Sequence, residues 1–244
     1  MAPRESDRNA DLFMAAVWGT GAVVLLASLH QILDEGLQAQ HLAWLALAAL
    51  TLVAGPLSIT LPLPNCKISF SDAFIFLALL AFGPPWAIFT GALDGFAASA
   101  RRGGAWYKRL FNMTGMAISV YASSTVFTWL LRARGLNGSA ASAVDLVLPL
   151  VALALVQYLV NTALVSTVVA LKEHVSPRAI WRKASPWAGI AYLASSAAAA
   201  VALIAIQSFG PVATPGVLLI PVILYFTYHA CLNRMMKAKL ATTT

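Results

Sequence analysis

Charged residues are scarce in this sequence, at 10% of 244 residues, whereas average soluble domains carry about 25%. Hydrophobic residues instead make up 60% of the chain, and its mean hydropathy is +0.78. A water-soluble fold of this length could not bury so much apolar surface. The composition therefore excludes an ordinary soluble domain and predicts an integral membrane protein.

Cysteine and the common catalytic motifs are also rare or missing. The two cysteines, Cys66 and Cys231, lie far apart, and their spacing matches neither a disulfide framework nor a zinc site. The sequence has no Gly-rich phosphate loop, no HExxH, no GxSxG and no paired acidic motif. We therefore expect no catalytic residue, no metal and no cofactor, and a protein that is not an enzyme. A membrane-embedded enzyme with an unfamiliar site is the alternative.

Acidic residues are fewer than basic ones, 9 against 16, which gives a net charge of +7. In membrane proteins such an excess usually lies in cytoplasmic loops, so a nucleic-acid partner is not expected. Arg4 and Arg8 precede an apolar run from Leu12 to Leu29. The run is longer than the hydrophobic region of a signal peptide, and no clear cleavage site follows it. It predicts an uncleaved first span.

A helix needs about 20 apolar residues to cross a bilayer. Hydrophobic segments of this kind predict an all-α integral membrane helical bundle, and they cover residues 12–30, 41–57, 72–83, 85–100, 110–131, 146–170, 186–208 and 214–232. We expect a single polytopic domain over 1–244, with a cytoplasmic tail at 1–11, the bundle at 12–232 and a tail or linker at 233–244. The third and fourth segments are short and separated by a Gly-Pro-Pro break. They form either two tilted spans or a re-entrant helical hairpin.

The stretch between the second and third segments differs from the rest of the chain. Residues 58–72 alternate polar and apolar side chains around a Pro-Asn turn. This pattern predicts a short β-hairpin or an ordered loop.

Lysine and arginine positions predict the orientation in the membrane. Basic residues cluster in the N-terminal tail, in the loops 101–109 and 172–183, and in the C-terminal tail. Eight spans place all of these on one side, which leaves only Arg132 and Arg134 on the other. We therefore expect a multi-pass protein of the bacterial inner membrane with both termini in the cytoplasm.

Polar side chains at membrane depth are costly, and a carboxylate at the centre of a span costs on the order of 3 kcal/mol. Six residues are candidates for a ligand-binding pocket: Asp94, Asp72, Asn112, Asn161, Gln157 and Lys67. Asp72 is more simply a helix cap, and Gln157 and Asn161 are more simply hydrogen-bonding contacts between helices. Asp94 has either a ligand or switch role or a hydrogen-bonding role between helices. Lys108 and Arg109 are most simply topology anchors, and either is also a candidate to pair with Asp94.

Small residues indicate where helices pack closely. Gly91 and Gly95 form a GxxxG pair, and the segment that begins at Ala191 is almost entirely small residues. We interpret both as packing signals, with dimerisation through the glycine pair as the less favoured alternative.

Three motifs together resemble a known family. Ile68 to Ser71 is followed by an apolar helix, then by Phe82 to Pro84, and then by Gly91 to Gly95. This order is similar to that in the substrate-binding S components of energy-coupling-factor vitamin transporters. A closer likeness, which includes the run from Arg109 to Asn112, is to vitamin-uptake-like membrane sensor domains of bacterial signalling proteins.

The resemblance implies a six-helix core with extra helices at both ends, since eight segments are present here. It also implies a cytoplasmic output partner of HD-GYP or GGDEF type, or a dimer partner. Our hypothesis is a sensor module in the lipid bilayer that binds a vitamin-like or other small organic ligand near the 58–72 hairpin. The alternative is the S component of a vitamin uptake transporter.

Overall fold

The computed structural model describes residues 5–36, 40–55, 58–60, 67–69, 71–136, 143–184 and 188–210. Two strands and eight helices lie within these ranges. In chain order they are α1 (Glu5–Glu35), α2 (Gln40–Ala54), β1 (Ser58–Thr60), β2 (Lys67–Ser69), α3 (Ser71–Phe82), α4 (Pro84–Arg101), α5 (Trp106–Ala133), α6 (Ala143–Glu173), α7 (Pro177–Ala184) and α8 (Ala188–Phe209).

The predicted all-α class is confirmed. Seven of the eight predicted segments correspond to α1 to α6 and α8, whereas the eighth, 214–232, lies outside the described residues. Four of the described helices are long and apolar enough to cross a membrane: α1, α5, α6 and α8. Helix α1 already begins at Glu5, so much of the expected N-terminal tail is helical.

The predicted hairpin is also confirmed, in a short form. Strands β1 and β2 pair antiparallel, with Ser58 opposite Ser69 and Thr60 opposite Lys67.

The predicted break after α3 is a single residue, Gly83, at φ +91°. A side chain is strained at this backbone angle, so glycine suits the position. Proline suits the first position of α4 because no amide hydrogen is needed there.

Five helices form a closed ring in which α3 contacts α4, α4 contacts α5, α5 contacts α6, α6 contacts α8, and α8 contacts α3. Helix α1 packs outside this ring against α4, α5 and α6, and α2 packs outside it against α3 and α4. The six-helix core that the resemblance implies stays a prediction.

Helix α3 is the most enclosed member of the ring. It is buried along most of its length, including Ile75 and Phe76. Its 12 residues span about 18 Å, less than the roughly 30 Å of a hydrocarbon core. It is therefore an internal helix.

The outer faces carry large apolar side chains. Val23 and Leu26 of α1 are each 66% exposed, and Val201 of α8 is 60% exposed. Contiguous apolar surface of this kind is unfavourable in water and suits contact with lipid. The chain is a multi-pass membrane protein.

Small residues allow the ring to close, as their positions predicted. A Cβ on Gly91 would lie 2.7 Å from Val120 Cγ2, and one on Gly95 would overlap the backbone oxygen of Asn112. The glycine pair therefore packs against α5 of the same chain. In α8 the buried residues other than Tyr192 are likewise small and include Ala199 and Ser196.

We expect Gly95→Val to destabilise the bundle by about 1–3 kcal/mol, because the added side chain forces α4 away from α5. The matched control is Gly19→Val in α1, where an added Cβ meets nothing within 4 Å. The measurement is the unfolding free energy from SDS titration in mixed micelles. Equal losses in the two variants would contradict the close contact between α4 and α5.

Candidate functional site

The Asp94 carboxylate of α4 is buried, with 10% of its side chain exposed. Its Oδ2 accepts a hydrogen bond of 3.1 Å from the Ser71 hydroxyl at the start of α3. Its Oδ1 is buried and has no hydrogen-bond partner in the described part of the chain. One acceptor atom of a buried carboxylate therefore lacks a donor, whereas nearly all buried polar atoms in proteins have one.

The basic partner of Asp94 is Arg101, two turns later on the same helix. Its Nη2 lies 3.9 Å from Asp94 Oδ1, and 32% of its side chain is exposed. Its Nη1 donates a hydrogen bond of 3.1 Å to the backbone oxygen of Leu52 in the last turn of α2. A Cβ on Gly55 would overlap the Arg101 guanidinium. Glycine at position 55 therefore leaves the space that the arginine needs to reach both partners.

The predicted candidates for pairing with Asp94, Lys108 and Arg109, have other contacts. Arg109 Nε donates a hydrogen bond of 2.7 Å to the backbone oxygen of Gly104. Lys108 lines a separate cavity.

A second carboxylate and a tyrosine extend the group around Asp94. Asp72, half-buried in the first turn of α3, and Tyr192 of α8 are close enough to Asp94 to interact electrostatically with it. Asn161 of α6 donates a hydrogen bond of 2.8 Å from Nδ2 to the Tyr192 hydroxyl, so it forms the predicted contact between helices. We use the name Asp94 cluster for the following side chains: Ser71, Asp72, Asp94, Arg101, Asn161 and Tyr192.

The structure separates two predicted site residues from this cluster. Gln157 is fully buried between α6 and α5, and its Oε1 accepts a hydrogen bond of 2.9 Å from the Ser123 hydroxyl. Its Nε2 has no partner among the described residues. Asn112 donates from Nδ2 to the backbone oxygen of Lys108 at 2.8 Å and lines the same cavity as Lys108. Gln157 is thus a contact between helices, as the simpler interpretation predicted.

Lys67, the remaining predicted site residue, lies in β2, four positions before Ser71. Its backbone pairs with Thr60, and its side chain lies outside the described part of the structure.

Sequence reasoning missed Ser71, Arg101 and Tyr192 as members of the site. Arg101 follows Asp94 by seven residues, a spacing that places two side chains on the same face of a helix and offered a usable signal. Tyr192 lies in another helix, almost a hundred residues away, and no local pattern connects it to Asp94.

The Asp94 cluster can act as an acceptor site. Two carboxylates and a tyrosine hydroxyl lie near one another, and one carboxylate oxygen lacks a donor. A ligand group with N–H or O–H donors would satisfy that oxygen. Among the described residues there is no group of three or more His, Cys, Asp or Glu side chains that could hold a metal ion.

The fold and this buried polar cluster define a membrane helical bundle with a candidate binding site in its interior. The family model of the membrane-associated sensor domain MASE9 matches residues 64–236, most of the chain. The chain belongs to the MASE9 family. The matched region begins just before β2 and includes every member of the Asp94 cluster.

No curated protein and no solved structure matches the chain significantly.

We expect Arg101→Gln to destabilise the bundle by about 1–3 kcal/mol, because the Asp94 carboxylate and the Leu52 oxygen both lose a charged partner. Adding Asp94→Asn should recover part of the lost unfolding free energy, since a neutral amide at position 94 does not require a positive charge beside it. The measurement is a double-mutant cycle of SDS unfolding free energies. The exposed Arg132→Gln in α5 is the control. Strictly additive losses at Asp94 and Arg101 would show that the two side chains do not interact.

Proposed function

We propose that this chain is the input module of a bacterial signalling protein and that it senses a small organic ligand bound at the Asp94 cluster. The single observation that supports this most is the buried Oδ1 of Asp94, which lacks a hydrogen-bond donor among the described residues. Membership of a family of membrane-associated sensor domains is consistent with the proposal.

The ligand that fits the cluster carries hydrogen-bond donors. Amine, amide or hydroxyl groups would pair with Asp94 Oδ1 and, in the same site, with Asp72 or the Tyr192 hydroxyl. A vitamin-like heterocycle with an amino group meets this requirement. A ligand that offers only acceptors does not, because it leaves Asp94 Oδ1 without a donor.

Binding would be transmitted through α8. Tyr192 connects the cluster to this helix, and its hydroxyl is held by Asn161 of α6. A ligand can shift the packing of α8 only by its differential affinity for the two arrangements of the bundle. In our proposal α8 passes that shift along the chain to a cytoplasmic output domain of HD-GYP or GGDEF type, or to a dimer partner. The module itself would bind and not catalyse.

The test is a thermal-shift screen of the detergent-purified chain against vitamins, nucleobases and amine-bearing metabolites. Since a compound that binds only the folded form raises the unfolding midpoint, a ligand of the cluster should raise it in a concentration-dependent way. In Asp94→Asn we expect a loss of affinity of about tenfold or more, because a hydrogen bond to a charged group contributes about 1.5–3 kcal/mol. Asp11→Asn, on an exposed face of α1, is the matched control and should bind normally.

A ligand whose affinity is the same in Asp94→Asn and in the unchanged chain would place the binding site elsewhere. A hit accompanied by cellular uptake of the ligand and co-purification with ATPase subunits would support the transporter alternative instead.

The proposed orientation has both termini in the cytoplasm. In a chain whose native cysteines are replaced by serine, we expect Glu35→Cys and Arg134→Cys to react with a membrane-impermeant maleimide in intact spheroplasts. Arg178→Cys in α7, which is exposed in the structure, should react only after permeabilisation. Labelling of the cysteine at position 178 in intact spheroplasts would contradict the proposal and indicate the opposite orientation.

A further inference from the structure

A cavity of about 440 Å³ lies beside the turn that joins α4 to α5. Its walls come from α1, from the end of α4 and the turn after it, from the first turns of α5 and from the end of α6. None of its lining residues belongs to the Asp94 cluster. It is therefore a separate site.

Basic side chains line the polar part of this cavity. Arg102, Lys108 and Lys172 contribute three positive charges, against one negative charge from Glu173. Lys172 is held in place, because its Nζ lies 4.7 Å from the centroid of the Tyr107 ring. The net positive charge indicates an anionic ligand.

The turn that forms one wall is held by hydrogen bonds. Gly103 has φ +68°, and its amide donates to Ala100 while the amide of Gly104 donates to Ser99, which is the hydrogen-bond pattern of a Schellman motif. The Gly104 oxygen is bound by Arg109. This hydrogen bond from a cation offsets part of the negative partial charge of the Gly104 carbonyl.

Helix α5 begins at the same cavity. Its N-cap residue, Ala105, offers no side-chain acceptor to the first amides of the helix. The N-terminal end of a helix carries a partial positive charge and favours phosphate groups. This partial charge at the start of α5 adds to the positive charge of the three basic side chains.

The cavity also has an apolar wall, which is lined by five side chains: Met14, Phe111, Val165, Val168 and Val169. Met14, Phe111 and Val168 are buried. Trp106, 69% exposed, lies at the start of α5 with its ring centroid 5.8 Å from that of Trp18. Exposed tryptophan is typical of the level of the lipid headgroups. A ligand that fits both parts joins an anionic group to an apolar group.

We infer that this cavity binds a phosphate group, with the phosphate between Arg102, Lys108 and Lys172 at the start of α5. Basic pockets between membrane helices on the cytoplasmic side are known to bind phospholipid headgroups. A soluble organic phosphate offers the same charge. The apolar wall would contact an acyl chain in the first case and the organic part of the molecule in the second.

The experiment measures binding to the full chain in neutral detergent by native mass spectrometry and by thermal shift. The probes are phosphatidylglycerol, phosphatidylcholine as a lipid without net charge, glycerol phosphate and inorganic phosphate. Binding of phosphatidylglycerol but not of the soluble phosphates assigns the site to a lipid headgroup. Binding of glycerol phosphate or inorganic phosphate assigns it to a soluble ligand. Either assignment also requires that phosphatidylcholine binds more weakly than the probe on which the assignment rests.

Charge variants locate the site. Lys108→Gln and Lys172→Gln should each weaken binding about fivefold, since each basic residue near an anionic headgroup contributes on that scale. Both side chains are exposed at the rim, so their removal leaves the bundle packing in place. Arg178→Gln, which removes an equal charge from the exposed surface of α7, is the matched control and should leave binding unchanged. Lys108→Arg should retain binding.

Three outcomes would overturn the inference. The first is no preference for anionic over neutral lipid together with no binding of the soluble phosphates. The second is equal weakening in Arg178→Gln and Lys108→Gln, which would show general surface attraction. The third is unchanged affinity in both lysine variants.

Discussion

Hydrocarbon offers no hydrogen bonds, so a polar group inside a membrane is costly unless the protein or a bound ligand supplies its partner. The arrangement of helices around Asp94 follows from this requirement. Ser71 brings the start of α3 to one oxygen of the carboxylate, and Arg101 brings its charge toward the other. Because the same arginine also binds the last turn of α2 at Leu52, three helices are fixed with respect to one acidic side chain. The short helix α3 can remain internal because its first residue is held there.

Close packing supplies the rest of the stability. Lipid is as apolar as the helix surfaces, so helices in a membrane associate through close contact and polar bonds. Gly91 and Gly95 allow α4 to approach α5, and the small residues of α8 allow it to close the ring against α3 and α6. The buried polar bonds between helices, such as that between Ser123 and Gln157, then lie in a densely packed interior.

The last turn of α4 borders two chemically opposite sites. Arg101 completes the acidic cluster toward α2 and α3, whereas Arg102, which also interacts electrostatically with Asp94, lines the basic cavity beside α5. Arg102 is the residue that follows α4 and lines the cavity, whereas Arg101 does not, so only Arg101 is part of the ion pair and only Arg102 is part of the cavity wall. A site that accepts hydrogen-bond donors and a site that attracts anions can therefore coexist a few residues apart, since each has its own lining.

The sequence by itself determined the all-α class, seven of the helical segments, the short hairpin and the position of Asp94 inside a helix of the bundle, since hydrophobic length and turn chemistry are local properties. It also placed Gln157 and Asn161 on one helix, four residues apart. Only the tertiary structure decided their partners: Gln157 binds Ser123 of α5, and Asn161 binds Tyr192 of α8. Apolar helices carry little information on which face meets which neighbour, because lipid and protein surroundings are almost equally apolar. The choice of partner depends on the packing of the complete ring, and no single segment of the sequence encodes it.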